Sequence, residues 1–317
     1  MTVSTSQHKG PGTKIRQRHL SNRAIVNLFI WPTLILLIAM NVFPLFYSLY
    51  LGFTNYSAIA GKAPVWVAFQ NFSNILNDKN LWQYFATTGR YALMSVSLQT
   101  LVGFLLAMLV REKFKGGGIF TTLILIPMMI SPVVVGMFWK LMYNPTFGFF
   151  NALLGFDVPS KAPDWLASRF AGQPMPGLAL LAVVIVDVWM WAPFVMLLVL
   201  SGLKAIPEYL YEAAAVDRAS SWFQFWRITL PQVAPLLLIA VLFRTIEAFK
   251  SFDLVMGMTG GGPGVQTELI SVDLYRLAFL GQFRTGPASA LAYIILIIII
   301  AVSNLYIKYL NQSKGEG

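Results

Sequence analysis

Arg244, Glu247, Lys250 and Asp253 recur at intervals of three along a largely apolar segment. That spacing places neighbours on one helical face, so Arg244–Glu247 and Lys250–Glu247 can each pair. A charge at the centre of a bilayer costs at least about 2.5–3.5 kcal/mol on insertion scales and seldom faces lipid. Two readings stay open. The charges neutralise one another and pin the helix to its neighbours, or some lie on a water-filled pathway offering donors and acceptors to a polar solute. Asp187, Trp189 and Trp191 pose the same alternatives, with Gln99 and Ser131 as lesser members. Gly260, Gly261 and Gly262 lack the following Lys-Ser/Thr of a phosphate-binding loop, so they read as a tight turn stiffened by Pro263. Cysteine is absent, and both histidines, His8 and His19, sit in the polar N-terminal stretch. Thiolate and histidine metal sites are therefore not expected. No paired acids or metal ligands have the spacing of an embedded enzyme.

The elements that must carry these side chains are membrane helices. The 317 residues are 57% hydrophobic and 11% charged, against about 25% charged in soluble domains. Crossing roughly 30 Å of hydrocarbon takes about 20 residues. Six segments reach that length: approximately Ala24–Leu51, Tyr91–Val110, Ile119–Met142, Gly177–Ser201, Ala234–Gly257 and Ala288–Leu310. The first is too long for a signal sequence and is read as retained.

The net charge of +10 follows the loops. One side carries Lys9, Lys14, Arg16, Arg18, Arg23, Arg111, Lys113, Lys115, Lys204, Arg218, Arg227, Lys308 and Lys314. The other has only Lys62, Lys79, Lys161, Arg169, Arg276 and Arg284. By the positive-inside rule both termini are cytoplasmic. This distribution shows no groove-reading element for nucleic acid. The outer loops Val65–Phe85 and Asn144–Leu166 read as partly helical. Trp66, Trp82 and Trp165 serve either interfacial anchoring or a docking surface.

Between the fourth and fifth spans lies YEAAAVDRASSWFQFWRITLP, Tyr211 to Pro231. Pro207 suits a helix start, with Glu208 and Glu212 favoured near the positive end of the helix dipole. Ser220 or Ser221 can cap a second short helix, Trp222–Thr229, which Pro231 is expected to terminate. The result is a cytoplasmic helix–turn–helix. It is either an amphipathic hairpin on the bilayer surface or a knob fitting another protein's cleft.

The spacing of Glu212, Ala213, Ala214, Asp217, Arg218, Ile228, Leu230 and Pro231 resembles the EAA loop of ABC importer permeases. FRTIEAFKSFDLVMGMTGGGPGVQTE, Phe243–Glu268, resembles the fifth-span region of the carbohydrate-importing permeases related to the maltose transporter. Ile126–Asn151 resembles that family's third span and following loop, and Val188–Phe194 its fourth span. The likeness extends over nearly the whole chain after Arg23, and departs at Gln282–Ala290. It implies an all-α type I importer permease with six transmembrane helices and a coupling-helix loop over residues 204–233. The permease domain would cover residues 24–310, with cytoplasmic tails at 1–23, polar and disordered, and 311–317.

The resemblance further implies a bacterial-type inner membrane and a second homologous permease. Two ATP-binding subunits would hold ATP and Mg, and an extracytoplasmic solute-binding protein would deliver a carbohydrate. This chain would carry no cofactor and no ATPase site of its own. Glu212 would make the polar contact to the ATPase, Ala213 and Ala214 would allow close packing, and Ile228, Leu230 and Pro231 would anchor the loop. The family's turn position is usually Gly, whereas this chain has Arg218. A non-Gly residue at positive φ costs about 1 kcal/mol or more. An ion-driven secondary transporter is the alternative, but it predicts internal repeats and leaves the EAA spacing unexplained. A homodimeric anion permease is disfavoured by the Gly-Gly-Gly-Pro element.

Overall fold

A computed structural model describes residues 21–315 apart from 60, 62, 113, 157, 281 and 282. Most of the expected polar tail, and the last two residues, lie outside that set. The chain divides into two compact units, residues 1–48 and 49–317. The first contains helix α1 (Asn22–Leu37), a π-turn (Ile38–Val42) and most of α2 (Phe43–Gly52). Val26–Gly52, 27 residues, is long and apolar enough to cross a membrane.

In the second unit α3 (Gln70–Asn77) leads into α4 (Lys79–Arg111). The second span therefore begins well before Tyr91. Asp78 accepts a hydrogen bond from the Asn80 amide at 2.8 Å and caps the helix there. Then come α5 (Gly117–Met129), α6 (Pro132–Met142), the short α7 (Phe149–Leu153) and a three-stranded antiparallel meander. Its strands are β1 (Pro163–Asp164), β2 (Arg169–Phe170) and β3 (Gln173–Pro174). Trp165 is a packing residue, bonded through Nε1 to Asn151 at 2.9 Å and lying 5.3 Å from the Tyr143 ring.

Helix α8 (Leu178–Ala205) is the axis of this unit and its most buried long helix. It packs along α4, with Gly103 at the crossing: a Cβ there would lie 2.6 Å from the Ala192 carbonyl. Two clusters of buried apolar side chains line this axis. Tyr91, Trp139, Val183 and Met190 belong to one, and Ala107, Val195, Val199 and Leu203 to the other.

Two expected spans differ from simple rods. Ile119–Met142 is broken, its arms α5 and α6 meeting at 98°. Pro127 and Pro132 each lack an amide donor, Ile130 and Ser131 are both extended, and Ser131 is so as the residue before proline prefers. The fifth span begins earlier than Ala234 and stops earlier than Gly257. Helix α9 (Tyr209–Val216) is followed by α10 (Ser221–Gln224), a π-turn (Phe225–Thr229) and α11 (Leu230–Lys250), and Ser221–Lys250 runs on as one 30-residue span. Pro231 does not terminate the second short helix. The Leu230 amide bonds back five residues to Phe225, and this widened turn shifts the ladder just where Pro231 cannot donate. The chain breaks instead at Ser251 and restarts as α12 (Asp253–Met258).

Helix α12 packs on α6 through paired glycines. A Cβ on Gly136 would sit 2.9 Å from the Leu254 carbonyl, and one on Gly257 3.1 Å from that of Val133. After the glycine loop, α13 (Ile270–Phe279) and α14 (Thr285–Gly315) close the unit, joining α3 and α4 in a third cluster around Ile75, Ile270 and Leu291.

Candidate functional site

The hairpin between α8 and α11 is built by local rules. Helix α9 ends where the Ala219 amide bonds to the Ala214 carbonyl at 2.9 Å and the Arg218 amide to Ala215 at 3.0 Å. This six-to-one, five-to-two closure needs a left-handed residue at its hinge. Arg218 supplies it at φ 53°. Ser220 then caps the next helix by accepting from the Phe223 amide at 3.2 Å. The Tyr211 hydroxyl meets Thr229 Oγ1 at 2.9 Å and ties the two helices together, while the Arg111 guanidinium lies 4.7 Å over the Tyr211 ring. Phe225 meets Phe104 of α4 edge to face, with centroids 5.9 Å apart.

Among the residues expected to couple, Glu212, Ala213, Asp217, Arg218 and Pro231 are exposed. Ala214 is buried in the hairpin itself, and Ile228 and Leu230 are half-buried. Beside the charges stands an exposed apolar set of Tyr209, Val216, Trp222 and Phe223.

The residues expected on a solute pathway separate by burial. Asp187 and Arg244 each have side chains only 4% exposed, and they meet at 3.6 Å. Arg244 Nε donates to Gln99 Oε1 at 2.8 Å, and Gln99 Nε2 donates to Asp187 Oδ2 at 2.7 Å. Ser95 Oγ donates to the same carboxylate oxygen, and the guanidinium stacks 4.6 Å over the Trp191 ring. The expected Arg244–Glu247 pair does not form. Arg244 points into the contact with α4 and α8, where a desolvated guanidinium needs a buried acid, and Glu247 faces outward. The expected Lys250–Glu247 pair is present at 2.7 Å, both side chains about half exposed. Asp253 is exposed in the first turn of α12. Trp189 lies on another face, its ring edge-on to Trp139 at 5.3 Å. Gln99 therefore belongs to the centre of the polar cluster. Its signal in the sequence was an isolated amide in an apolar span, which must find a partner.

A groove of about 690 Å³ opens between α4 and α11, lined also by Phe225 and Trp226 of the hairpin and by Tyr306 of α14. At the opposite end of the unit, Glu268 is almost fully buried and pairs with Arg276 at 3.0 Å. Burial pushes the Glu268 carboxyl up, Arg276 opposes the shift and Asp273 adds to it. Burial likewise raises Asp273. Gly261, at φ 94°, leaves the space that Glu268 fills: a Cβ there would lie 1.9 Å from its Oε2. Among the described residues no group of three or more His, Cys, Asp or Glu could hold a metal ion.

Residues 99–315 match the family described as the binding-protein-dependent transport system inner membrane component. The trehalose/maltose transport system permease protein MalF of Thermococcus litoralis is 34% identical over 281 residues, 89% of this chain and 92% of that one. The trehalose transport system permease protein SugA of Mycobacterium tuberculosis is 31% identical over 298 residues, covering 94% and 92%. A solved bacterial ABC transporter that imports the acidic polysaccharide alginate superposes with a TM-score of 0.76 at 20% identity, over 91% of this chain and 95% of that one. At that identity the superposition speaks for the fold.

Proposed function

The chain belongs to the family of binding-protein-dependent transport system inner membrane components, and on that premise we propose its substrate, its partners and its coupling residues. It is a multi-pass membrane permease subunit of an ATP-driven importer. The ion-driven alternative gains no support from this family. The solute is a carbohydrate or carbohydrate-like molecule, in keeping with the trehalose and maltose named for its relatives. Both termini are cytoplasmic, as the distribution of Lys and Arg indicates. The partners are a second, similar permease, two ATP-binding subunits and an extracytoplasmic binding protein. ATP and Mg reside on the ATP-binding subunits. This chain carries no hydrolytic site.

The observation that carries the coupling role is the continuity of Ser221–Lys250. At 1.5 Å per residue this rod is about 45 Å long. It joins the exposed hairpin to Arg244, which is fastened to α4 and α8. Motion delivered to the hairpin is thereby passed to the packed centre of the permease. Glu212 makes the polar contact to the ATPase, exposed Ala213 admits close approach, and Asp217 and Arg218 shape the turn. Ile228, Leu230 and Pro231 root the hairpin in the span. ATP-driven closure of the partners shifts the permeases between outward- and inward-open states, which requires different affinities for the two. Glu247, Lys250 and Asp253 are exposed on this subunit, and charges avoid lipid, so they face water or the second permease. Asp187, Trp189 and Trp191 are assigned to packing around the pathway rather than to solute contact.

Purification of the chain from its own cells in mild detergent, beside a Glu212→Ala variant, tests this reading. An ATPase and a second permease should copurify with the wild type, and the variant should lose assembly or coupled hydrolysis. A chain that purifies alone, unchanged by the substitution, would leave the hairpin as a bilayer-surface amphipath.

A further inference from the structure

Two adjoining cavities of about 220 and 210 Å³ lie where α3, the start of α4, α13 and the start of α14 converge. They share Asn71, Asn74, Arg284 and Pro287. Together they reach the size of small-molecule sites, roughly 300–1,000 Å³. The charge count of the loops puts them on the extracytoplasmic side, at the opposite end of the unit from the hairpin.

Their lining is mixed. Ile75, Leu81, Leu277 and Tyr84 bring apolar surface from the third cluster. Asp78, Asp273, Asn74 and Arg284 bring polar and charged groups. Asn71 is fixed through its amide nitrogen to the carbonyls of Gly52 and Thr54, at 2.9 and 2.8 Å, which holds α3 in place. Asp273 is half-buried, and its carboxylate accepts no hydrogen bond from the described residues.

This mixture discriminates among ligand classes. A divalent cation would be repelled by Arg284 and finds only two carboxylates. An anion would meet those carboxylates. A fatty chain would strand the polar lining groups. A neutral polyhydroxylated ring has hydroxyls that both donate and accept, and C–H faces that suit the apolar lining groups. We propose that this double cavity is a reception subsite for a sugar ring on its way from the binding protein into the permease. The proposal rests on the carbohydrate-importer reading above and adds to it a location and named residues.

The chain has no cysteine, so a single Asn74→Cys reports on the cavity. Assembled complex in right-side-out vesicles is labelled with a membrane-impermeant maleimide. The probe is whichever of trehalose, maltose and maltotetraose the wild type takes up. Labelling from outside should slow several-fold with that sugar, while Leu153→Cys, exposed on α7 away from the cavity, labels at an unchanged rate. In a second measurement Asp273→Asn should raise the KM for uptake about 10-fold, the loss of one hydrogen bond to a charged group, with kcat retained.

Unchanged labelling and unchanged KM in a complex that transports the sugar would overturn the subsite and leave the importer reading intact. Protection by the binding protein alone, without sugar, would make the cavity a protein contact and also overturn it. Labelling only after permeabilisation would refute the outer placement. Uptake of none of the three sugars would defeat the carbohydrate reading and this subsite with it.

Discussion

Arg244 and Asp187, on two different spans, meet at 3.6 Å with both side chains all but sealed from solvent. Gln99 from a third span bonds to both. One charge-bearing contact thus fastens α4, α8 and α11 at the level where α11 ends its run from the hairpin. The pair is buried between the helices, whereas Glu247, less than one turn along the same helix, faces outward and pairs with Lys250. Its role follows from that burial: it fixes the relative register of three helices.

Breaking such a pair from one side should be costly. Removing one partner of a buried ion pair leaves an uncompensated charge and destabilises by about 3–5 kcal/mol. Asp187→Asn and Arg244→Gln are each expected to lower the thermal midpoint of the detergent-solubilised complex sharply. The double substitution Asp187→Leu with Arg244→Met should recover most of the loss, because no buried charge remains. Additive losses in the double variant would contradict a paired lock.

Arg218 occupies the hinge of a helix-ending motif at φ 53°, where glycine is unstrained. Arg218→Gly should therefore stabilise the hairpin by about 1 kcal/mol, and a β-branched Arg218→Val should weaken it by more than that. The readout is protease resistance of the hairpin in the isolated permease. A glycine variant that is cleaved faster would mean that the arginine side chain supplies a compensating contact.

Three glycines offer a graded test of helix approach. Gly103 and Gly136 face backbone carbonyls at 2.6 and 2.9 Å from a notional Cβ, whereas around Gly89 nothing lies within 4 Å. Alanine at 103 or 136 must push helices apart and should cost about 1–3 kcal/mol. Alanine at 89, in the same helix as Gly103, should stabilise by up to about 1 kcal/mol through helix propensity alone. Thermal midpoints of the three variants check the order, and equal effects at 89 and 103 would refute the close crossing of α4 and α8.

Much of this architecture was legible because lipid constrains sequence so strongly. Apolar length located the spans, and the EAA spacing located a hairpin that the structure closes with Arg218 at positive φ and with Ser220, one of the two expected caps. Breaks and partners were harder. Ile130 and Ser131 sit in an apolar run, and only the pair Pro127 and Pro132 signalled the 98° turn. Pro231 looked like a stop, yet a π-turn upstream let the helix pass. Arg244 looked paired to Glu247 because periodicity sees one helix at a time. Its actual partners are 53 residues away or more along the chain, and only the packing of three helices brings them together. The double cavity beside α3 and α13 left no linear trace for the same reason, since its lining comes from separate elements.

Glu268 provides a test, at the end of the unit opposite the hairpin, that depends on pH. Burial raises its carboxyl above the ordinary value of 4.5, Arg276 opposes that shift, and the neighbouring Asp273 adds to it. Asp273 is itself raised, first by burial, with Arg276 opposing and Asp78 adding. A carboxyl with a raised pKa binds its proton more tightly in the folded state than in the unfolded one. The stabilisation from that proton is complete below the unfolded value and is lost as pH climbs through the folded value. Thermal stability should accordingly fall across the range just above 4.5, against the usual trend for carboxylates held in salt bridges. Glu268→Gln should flatten that part of the profile, and Glu268→Gln with Asp273→Asn should flatten it further. The variant also retains a side-chain oxygen for Arg276, which is itself partly exposed, so the pairing is weakened rather than lost. Midpoints recorded in steps from pH 4.5 to 7.5 supply the measurement. A wild-type profile that rises through this range would show that Arg276 outweighs burial at Glu268.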